Sequence, residues 1–303
     1  MASSVRNMKL TSVDDLFSSE ESRQAERQQG EQVLTVLISE VYDFANNPYH
    51  VRQDAELMDM VESVMRLGVH TPCLARPRKD GGYELLSGHR RKLASTLAGK
   101  DTLPIIVRDI DDDTATILVV DGNIQRETIL PSEKAQAYKM KIDALNRQGR
   151  RTDLTLSPVA TKLDSAAQLG RQSGESRDQV FRFIRLTHLI PEILELVDNS
   201  VLKDQEMLQI AMRPAVELSY LRKEEQADLF AIMDEMDCTP SHAQAIKMRQ
   251  MSEAKTGGER LAKDALVSIM KEEKPNQKEQ FKIPKEKISR FFAPGTPTQK
   301  IED

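Results

Sequence analysis

Tryptophan is absent from this chain of 303 residues, which holds only eight phenylalanines and five tyrosines, and cysteine occurs twice, at Cys73 and Cys238. Two cysteines far apart, without a ligand-spaced partner, argue against a disulfide scaffold and a cysteine zinc site, and a reducing compartment is the expectation. No apolar run approaches the roughly 20 residues a membrane helix needs, and no signal-peptide core opens the sequence, so a cytoplasmic protein without a membrane partner is expected. An excess of basic charge is also missing. Lys and Arg number 43 against 48 Asp and Glu, a net charge of −5. That excludes a uniformly basic nucleic-acid coat, so any DNA contact has to come from a local patch. Few aromatics beside 30% charged residues suit a helix-rich chain of more than one unit.

What is present divides by composition. Residues 1–30 are rich in Ser, Gln, Glu and Arg without apolar periodicity and read as a disordered leader. The run Val33–Val41 reads as one strand, and Leu57, Met58, Val61, Val64 and Met65 give helical spacing over 54–67. Cys73–Ala75 and Tyr83–Leu86 read as strands around the turn Lys79-Asp80-Gly81-Gly82. A helix from about Arg90 to Ala98 stops at Gly99, a strand follows at Leu103–Val107, and a helix spans 112–122. From Pro131 the pattern is helical: 131–144, 166–172, 176–186, 191–198, 204–211, 215–221, 223–236 and 239–250. Methionines 207, 212, 233, 236, 248 and 251 sit at helical spacing in that stretch and read as core filler. Residues 273–303 read as a flexible tail.

Two stretches carry chemistry. In Tyr83-Glu-Leu-Leu-Ser-Gly-His-Arg-Arg-Lys-Leu-Ala94 a strand, a glycine turn and a helix opening with paired arginines aim backbone amides and guanidinium forks at one spot, which suits a polyphosphate. In Asp121-Gly-Asn-Ile-Gln-Arg126, Asn123 and Gln125 follow the apolar run 117–120. Upstream stand Asn47-Pro-Tyr-His-Val-Arg52 and Leu67-Gly-Val-His-Thr-Pro72.

In this order the four segments resemble the N-terminal domain of the ParB/RepB/Spo0J-type partition proteins, where they appear as Asn-Pro-x-x-x-Arg, Gly-Ile-x-x-Pro, Gly-Glu-Arg-Arg-x-x-Ala and Glu-Asn-x-x-Arg. The resemblance runs from about Leu34 to Val201. It implies an α+β ParB/sulfiredoxin-like N-terminal domain (31–128) and an all-α helix-turn-helix domain (129–200), and the helical pattern beyond them reads as a helical C-terminal region (201–272). It also implies binding of CTP with Mg2+. Thr71 and Pro72 would lie near the nucleoside, Gly88, Arg90 and Arg91 would hold phosphates, and Asn123 and Arg126 would lie at the phosphate and metal end. This sequence departs from the family at two glutamates, which are His89 and Gly122 here. Glycine neither ligates Mg2+ nor orients water, so weak CTPase activity at most is expected. His89 is either a phosphate or weak metal contact or a surface residue at the helix start.

Downstream, a short helix at Ala166–Gln172, a turn at Ser173-Gly174-Glu175 and a helix at Ser176–Leu186 follow the helix-turn-helix plan. An ordinary helical hairpin with solvated arginines accounts for this segment equally well, and the family resemblance decides for DNA. Ser176 would cap the second helix and approach a phosphate, Arg177 and Gln179 would read base edges, and Arg182 and Arg185 would touch phosphates.

The leading expectation is thus a sequence-specific DNA-binding partition protein with a CTP switch, nucleoid-associated, homodimeric and partnered by a ParA-type ATPase. The alternative is a transcriptional regulator that has lost the nucleotide cycle. An enzyme is the third reading. A sulfinic-acid reductase would need a cysteine where Gly88 stands, and a nuclease would need clustered carboxylates. Asp111-Asp112-Asp113, the densest acidic cluster, suits a helix cap better.

Overall fold

The computed structural model describes residues 32–124, 129–152, 158–202, 207–255 and 259–272. The expected leader and tail and Arg126 lie outside the described residues. The chain forms two compact units, one ending at Thr187 and the other beginning at His188.

The first unit opens with a five-stranded mixed sheet in the order β1-β5-β3-β4-β2. Its strands are β1 (Val33–Leu37), β2 (Val41–Asp43), β3 (Cys73–Pro77), β4 (Tyr83–Ser87) and β5 (Thr102–Val107). The expected single strand over 33–41 is therefore two. A one-turn 3-10 helix, Ile38–Glu40, breaks it, and the halves pair at opposite edges: β1 antiparallel to β5, β2 parallel to β4. That connection bends the sheet. Four strand spacings of a flat sheet cover about 19 Å, whereas the four Cα steps from Leu37 to Val41 reach at most about 14 Å. The sheet has to curl, and its inner face gathers Val41, Cys73, Ala75, Leu85, Leu103 and Ile105 into one buried cluster.

Strand periodicity turns alternate residues to the other face. There Leu86 and Leu74 meet Phe44 and the helix α3 (Asp112–Asp121) through Ala115 and Val119. Helices α1 (Ala55–Leu67) and α2 (His89–Leu97) share a core of Leu57, Val61, Val64 and Ala94. The acidic triplet before α3 is structural: Asp111 caps the helix through the Thr114 amide at 2.7 Å, Asp112 pairs with Arg76 and Asp113 with Arg147.

Three helices complete this unit: α4 (Pro131–Thr152), α5 (Pro158–Ser173) and α6 (Arg177–Leu186). Both α4 and α5 are longer than their sequence patterns suggested. Tyr138, Ile142, Ala166, Leu169 and Val180 bury together, with Ile124, Phe181, Phe183 and Ile184 packed against them. Ile124 also packs on Tyr49, Val120 and Ala137, so the segment following α3 is wedged between the sheet domain and the helices.

The second unit holds α7 (Pro191–Leu202), α8 (Met212–Leu218), α9 (Lys223–Met236), α10 (His242–Glu253) and α11 (Lys263–Met270). The helix expected over 204–211 is not formed across 207–211. Its backbone bonds outward instead: the Ile210 amide donates to the Leu196 carbonyl at 2.9 Å, and the Thr239 hydroxyl to the Gln209 carbonyl at 2.9 Å. Ile210 is buried by that arrangement. The methionine stripe divides: Met233 and Met248 are core, while Met207 is exposed.

Candidate functional site

The turn between β4 and α2 rests on Gly88, the N-cap of α2, in the left-handed region at φ 104°. No side chain caps α2, and its first turn carries no acid. The first intrahelical bond runs from the Lys92 amide to the Gly88 carbonyl, so the helix leaves the amides of residues 89–91 without intrahelical acceptors. An open helix end flanked by His89, Arg90 and Arg91 is electrostatically suited to an anion.

The two arginines have different occupations. Arg91 Nη1 donates to the carbonyls of Thr71 at 2.6 Å and Pro72 at 2.7 Å, which fixes the loop before β3 against α2. Thr71 and Pro72 are thereby brought to the glycine turn, as the motif order implied. Arg90 forms a forked pair with Asp54, Nη2 to Oδ1 at 2.7 Å and Nη1 to Oδ2 at 3.0 Å. The hydrogen bond from Arg90, followed by one from the Leu57 amide, holds the Asp54 carboxyl below its usual range. His89 lines a cleft of about 440 Å3 together with Asp43, Asn47, Tyr49, His50 and Lys92. The Lys92 ammonium reaches Asp43 at 2.8 Å.

At the end of α3, Asn123 is buried and its amide nitrogen donates to the Val119 carbonyl at 2.7 Å. Asp121, the nearest carboxylate to Gly122, is held by the ammonium of Lys141, which also bonds Gln172 on α5. Lys141 is buried. Asp121 is thus already committed. Among the described residues no group of three or more His, Cys, Asp or Glu side chains could hold a metal. The donor set fits a phosphate better than it fits Mg2+: Gly122 supplies no side-chain oxygen, Asp121 is paired with Lys141, and Asn123, whose amide nitrogen bonds the helix, offers a metal only its neutral carboxamide oxygen.

The α5–turn–α6 segment is built tightly. Gly174 takes the left-handed conformation at φ 72°, and a Cβ on Gly170 would meet the Glu175 carbonyl oxygen at 2.7 Å. Glu175 is bound by Lys134 and by the Tyr138 hydroxyl, both on α4. Tyr138 packs edge-on against Phe183, 5.8 Å between centroids. Ser176 caps α6, with its hydroxyl accepting from the Gln179 amide and the Gln179 carboxamide oxygen accepting from the Ser176 amide at 2.8 Å. Gln179 therefore serves the cap, a role its expected base contact did not include. Arg177 and Arg182 are exposed and Arg185 is half-buried. Sequence reasoning missed Asp54 and Lys141 as parts of these sites. Of these, only Asp54 carried a signal, as an acidic residue directly before a helix.

Residues 22–124 match the family model of the ParB N-terminal domain. That stretch of the chain is similar to the ParB N-terminal domain. The chain is 29% identical over 203 residues to the probable chromosome 1-partitioning protein ParB of Deinococcus radiodurans, covering 67% of this chain and 64% of that one. It is 32% identical over 171 residues to the stage 0 sporulation protein J of Bacillus subtilis, covering 55% and 54%. The match thus spans between half and just under two-thirds of these relatives. A solved structure, the C-terminally truncated ParB of Caulobacter crescentus complexed with CTP-gamma-S, is 22% identical. It covers 66% of this chain and 97% of its own, at a TM-score of 0.30, too loose a likeness to carry an argument. Among the described residues no helix is long and apolar enough to cross a membrane.

Proposed function

We propose that this protein is a DNA-binding partition factor whose N-terminal domain is a nucleotide-responsive switch. The observation that carries the reading is the uncapped N-terminus of α2 above Gly88, with Arg90 and Arg91 beside it, inside a stretch similar to the ParB N-terminal domain. Cytidine triphosphate is the nucleotide implied by the motif resemblance. Thr71 and Pro72 would lie at the nucleoside, with Gly88, His89, Arg90 and Arg91 at the phosphates, and Asn123 and Arg126 at their far end. The α5–α6 pair is assigned to DNA: its exposed arginines, 177 and 182, lie on a capped helix that α4 supports, and the relatives are partition proteins. A homodimer and a ParA-type ATPase belong to the same proposal.

The test is calorimetry with CTP, the other nucleotides and the cognate DNA, beside genome-wide DNA pull-down. Preferential CTP binding and one or a few broad peaks spreading from a centromere-like site support the reading.

A second reading, a transcriptional regulator without nucleotide turnover, is favoured by Gly122 and by the commitment of Asp121 to Lys141. Sharp promoter peaks and absence of phosphate release would establish it. Gly122 sits at φ −64°, a backbone open to any residue, and a Cβ there lies 3.3 Å from the Leu118 carbonyl oxygen, so a glutamate needs a shift of only a few tenths of an ångström. If the missing carboxylate is the defect, Gly122→Glu raises hydrolysis.

A further inference from the structure

We infer that Asp54 is a resident carboxylate that occupies Arg90 in place of a phosphate, so that an incoming nucleotide displaces it and Asp54 sets the affinity. This rests on the nucleotide reading above and names how that site is regulated. A carboxylate and a phosphate offer a guanidinium the same two-oxygen acceptor, and a forked pair satisfies the geometry of either. Asp54 already supplies that fork, at 2.7 and 3.0 Å, from a position directly before α1.

The exchange is feasible because neither partner is sealed in. The side chains of Arg90 and Asp54 are 22% and 39% exposed. Asp54 also has a second function that survives the loss of Arg90. Its Oδ1 accepts the Leu57 amide at 2.8 Å and caps α1. A released Asp54 therefore keeps a hydrogen-bond partner and does not become an orphaned charge. Glu56 stands at 3.5 Å from Arg90 and is 84% exposed, too distant and too solvated to replace it.

Arg91 differs in kind. Its partners are two neutral carbonyls of the loop before β3, so it builds the site, whereas Arg90 is the arginine with an anion to exchange. Of two adjacent arginines placed at the phosphates, Arg91 also braces the loop before β3, and Arg90 is the one a carboxylate holds in reserve.

Asp54→Asn tests the inference, because asparagine caps a helix as well as aspartate does but carries no charge. CTP binding by the full chain should tighten about five- to tenfold in Asp54→Asn, as one lost charge-assisted competitor implies. Asp54→Ser, a second capping variant, should do the same, and Glu56→Gln should change affinity less than twofold. The gain should vanish in Asp54→Asn/Arg90→Ala, with hydrogen exchange of α1 showing the cap intact throughout. Binding by Asp54→Asn and Asp54→Ser that equals or falls below the parent's overturns the inference and leaves the nucleotide reading standing. Absence of binding to CTP, other nucleotides and inorganic triphosphate in parent and variants alike removes the nucleotide reading, and the inference with it.

Discussion

Cys73 fills the space that a side chain at position 88 would need: a Cβ built on Gly88 lies 2.5 Å from the Cys73 sulfur. The glycine is required by its φ of 104° and again by this contact with a fully buried core residue. Gly88→Ala should therefore destabilise the first unit by about 2–4 kcal/mol, combining left-handed strain with overpacking. Urea unfolding of the variant measures it. The conflict lies in the core under the turn, so the loss should appear without any nucleotide present, and Cys73→Ala should relieve only part of it, since Cys73 Cβ stands 3.0 Å away. Burial also raises the Cys73 thiol above its ordinary range, against the opposing pull of Arg91. Slow alkylation of Cys73 beside the partly exposed Cys238 is the expected companion result.

Lys141 and Asp121 offer a contrast between two ways of breaking one bridge. The ammonium is buried, while the Asp121 side chain is 39% exposed. Removing the carboxylate leaves a buried cation with only the Gln172 oxygen, whereas removing the cation leaves an anion that water can reach. Asp121→Ala should therefore cost about 3 kcal/mol, the low end for a broken buried pair, and Lys141→Met about 1 kcal/mol or less. Equal losses in denaturant titrations would show that the burial of Lys141 does not govern the bridge.

The fold was legible where one period dominated. The apolar spacing of residues 57–65 and the turn at 79–82 gave α1 and the β3–β4 hairpin, because both depend on residues close in sequence. The break between β1 and β2 was not legible. Val33–Val41 has strand-forming residues throughout, and only pairing with β5 on one side and β4 on the other divides it. The same holds for 207–211, whose backbone bonds to Leu196 and Thr239 override a helical pattern. At the candidate site, the motifs pointed to Thr71, Pro72, Gly88 and the arginines, which the structure brings together through Arg91. They could not give the partners of those arginines. Asp54 lies 36 residues from Arg90, and Lys141 lies 20 from Asp121, distances at which sequence spacing carries no contact information.

On α6 the variants should separate by mechanism. Arg177→Ala should lose discrimination for the cognate site, by about 1–3 kcal/mol, with little change in thermal stability. Arg182→Ala should weaken binding to all DNA and lower the salt slope by about one unit. Gln179→Ala should lose site binding and also about 1 kcal/mol of stability, because the carboxamide closes the capping box. Gln179→Glu preserves that cap and should restore the stability alone. Fluorescence anisotropy at several salt concentrations, with thermal unfolding beside it, distinguishes these patterns. Unchanged site affinity in all of them would remove the recognition-helix assignment.

Glu225 closes the second unit. It is buried, and its two oxygens accept three bonds: Oε1 from the Leu261 amide at 2.7 Å, Oε2 from the Ser252 hydroxyl at 2.7 Å and the Arg222 amide at 2.9 Å. Burial pushes its carboxyl upward, but those three donors prevail and hold it below the usual 4.5. The folded pKa is thus depressed relative to the unfolded chain. Its stabilising contribution is complete above about pH 5 and is lost as pH falls through the lowered folded value. Glu225→Gln should cost about 1–3 kcal/mol near neutral pH, because whichever oxygen becomes NH2 faces a backbone N–H that cannot accept, and that amide is left unsatisfied. Hydrogen exchange of α9–α11 should therefore quicken in the variant at pH 7. Urea titrations on either side of pH 4.5 should show a shallower acid-induced loss of stability than in the parent. An equal slope in parent and variant would mean that other carboxylates set the acid response.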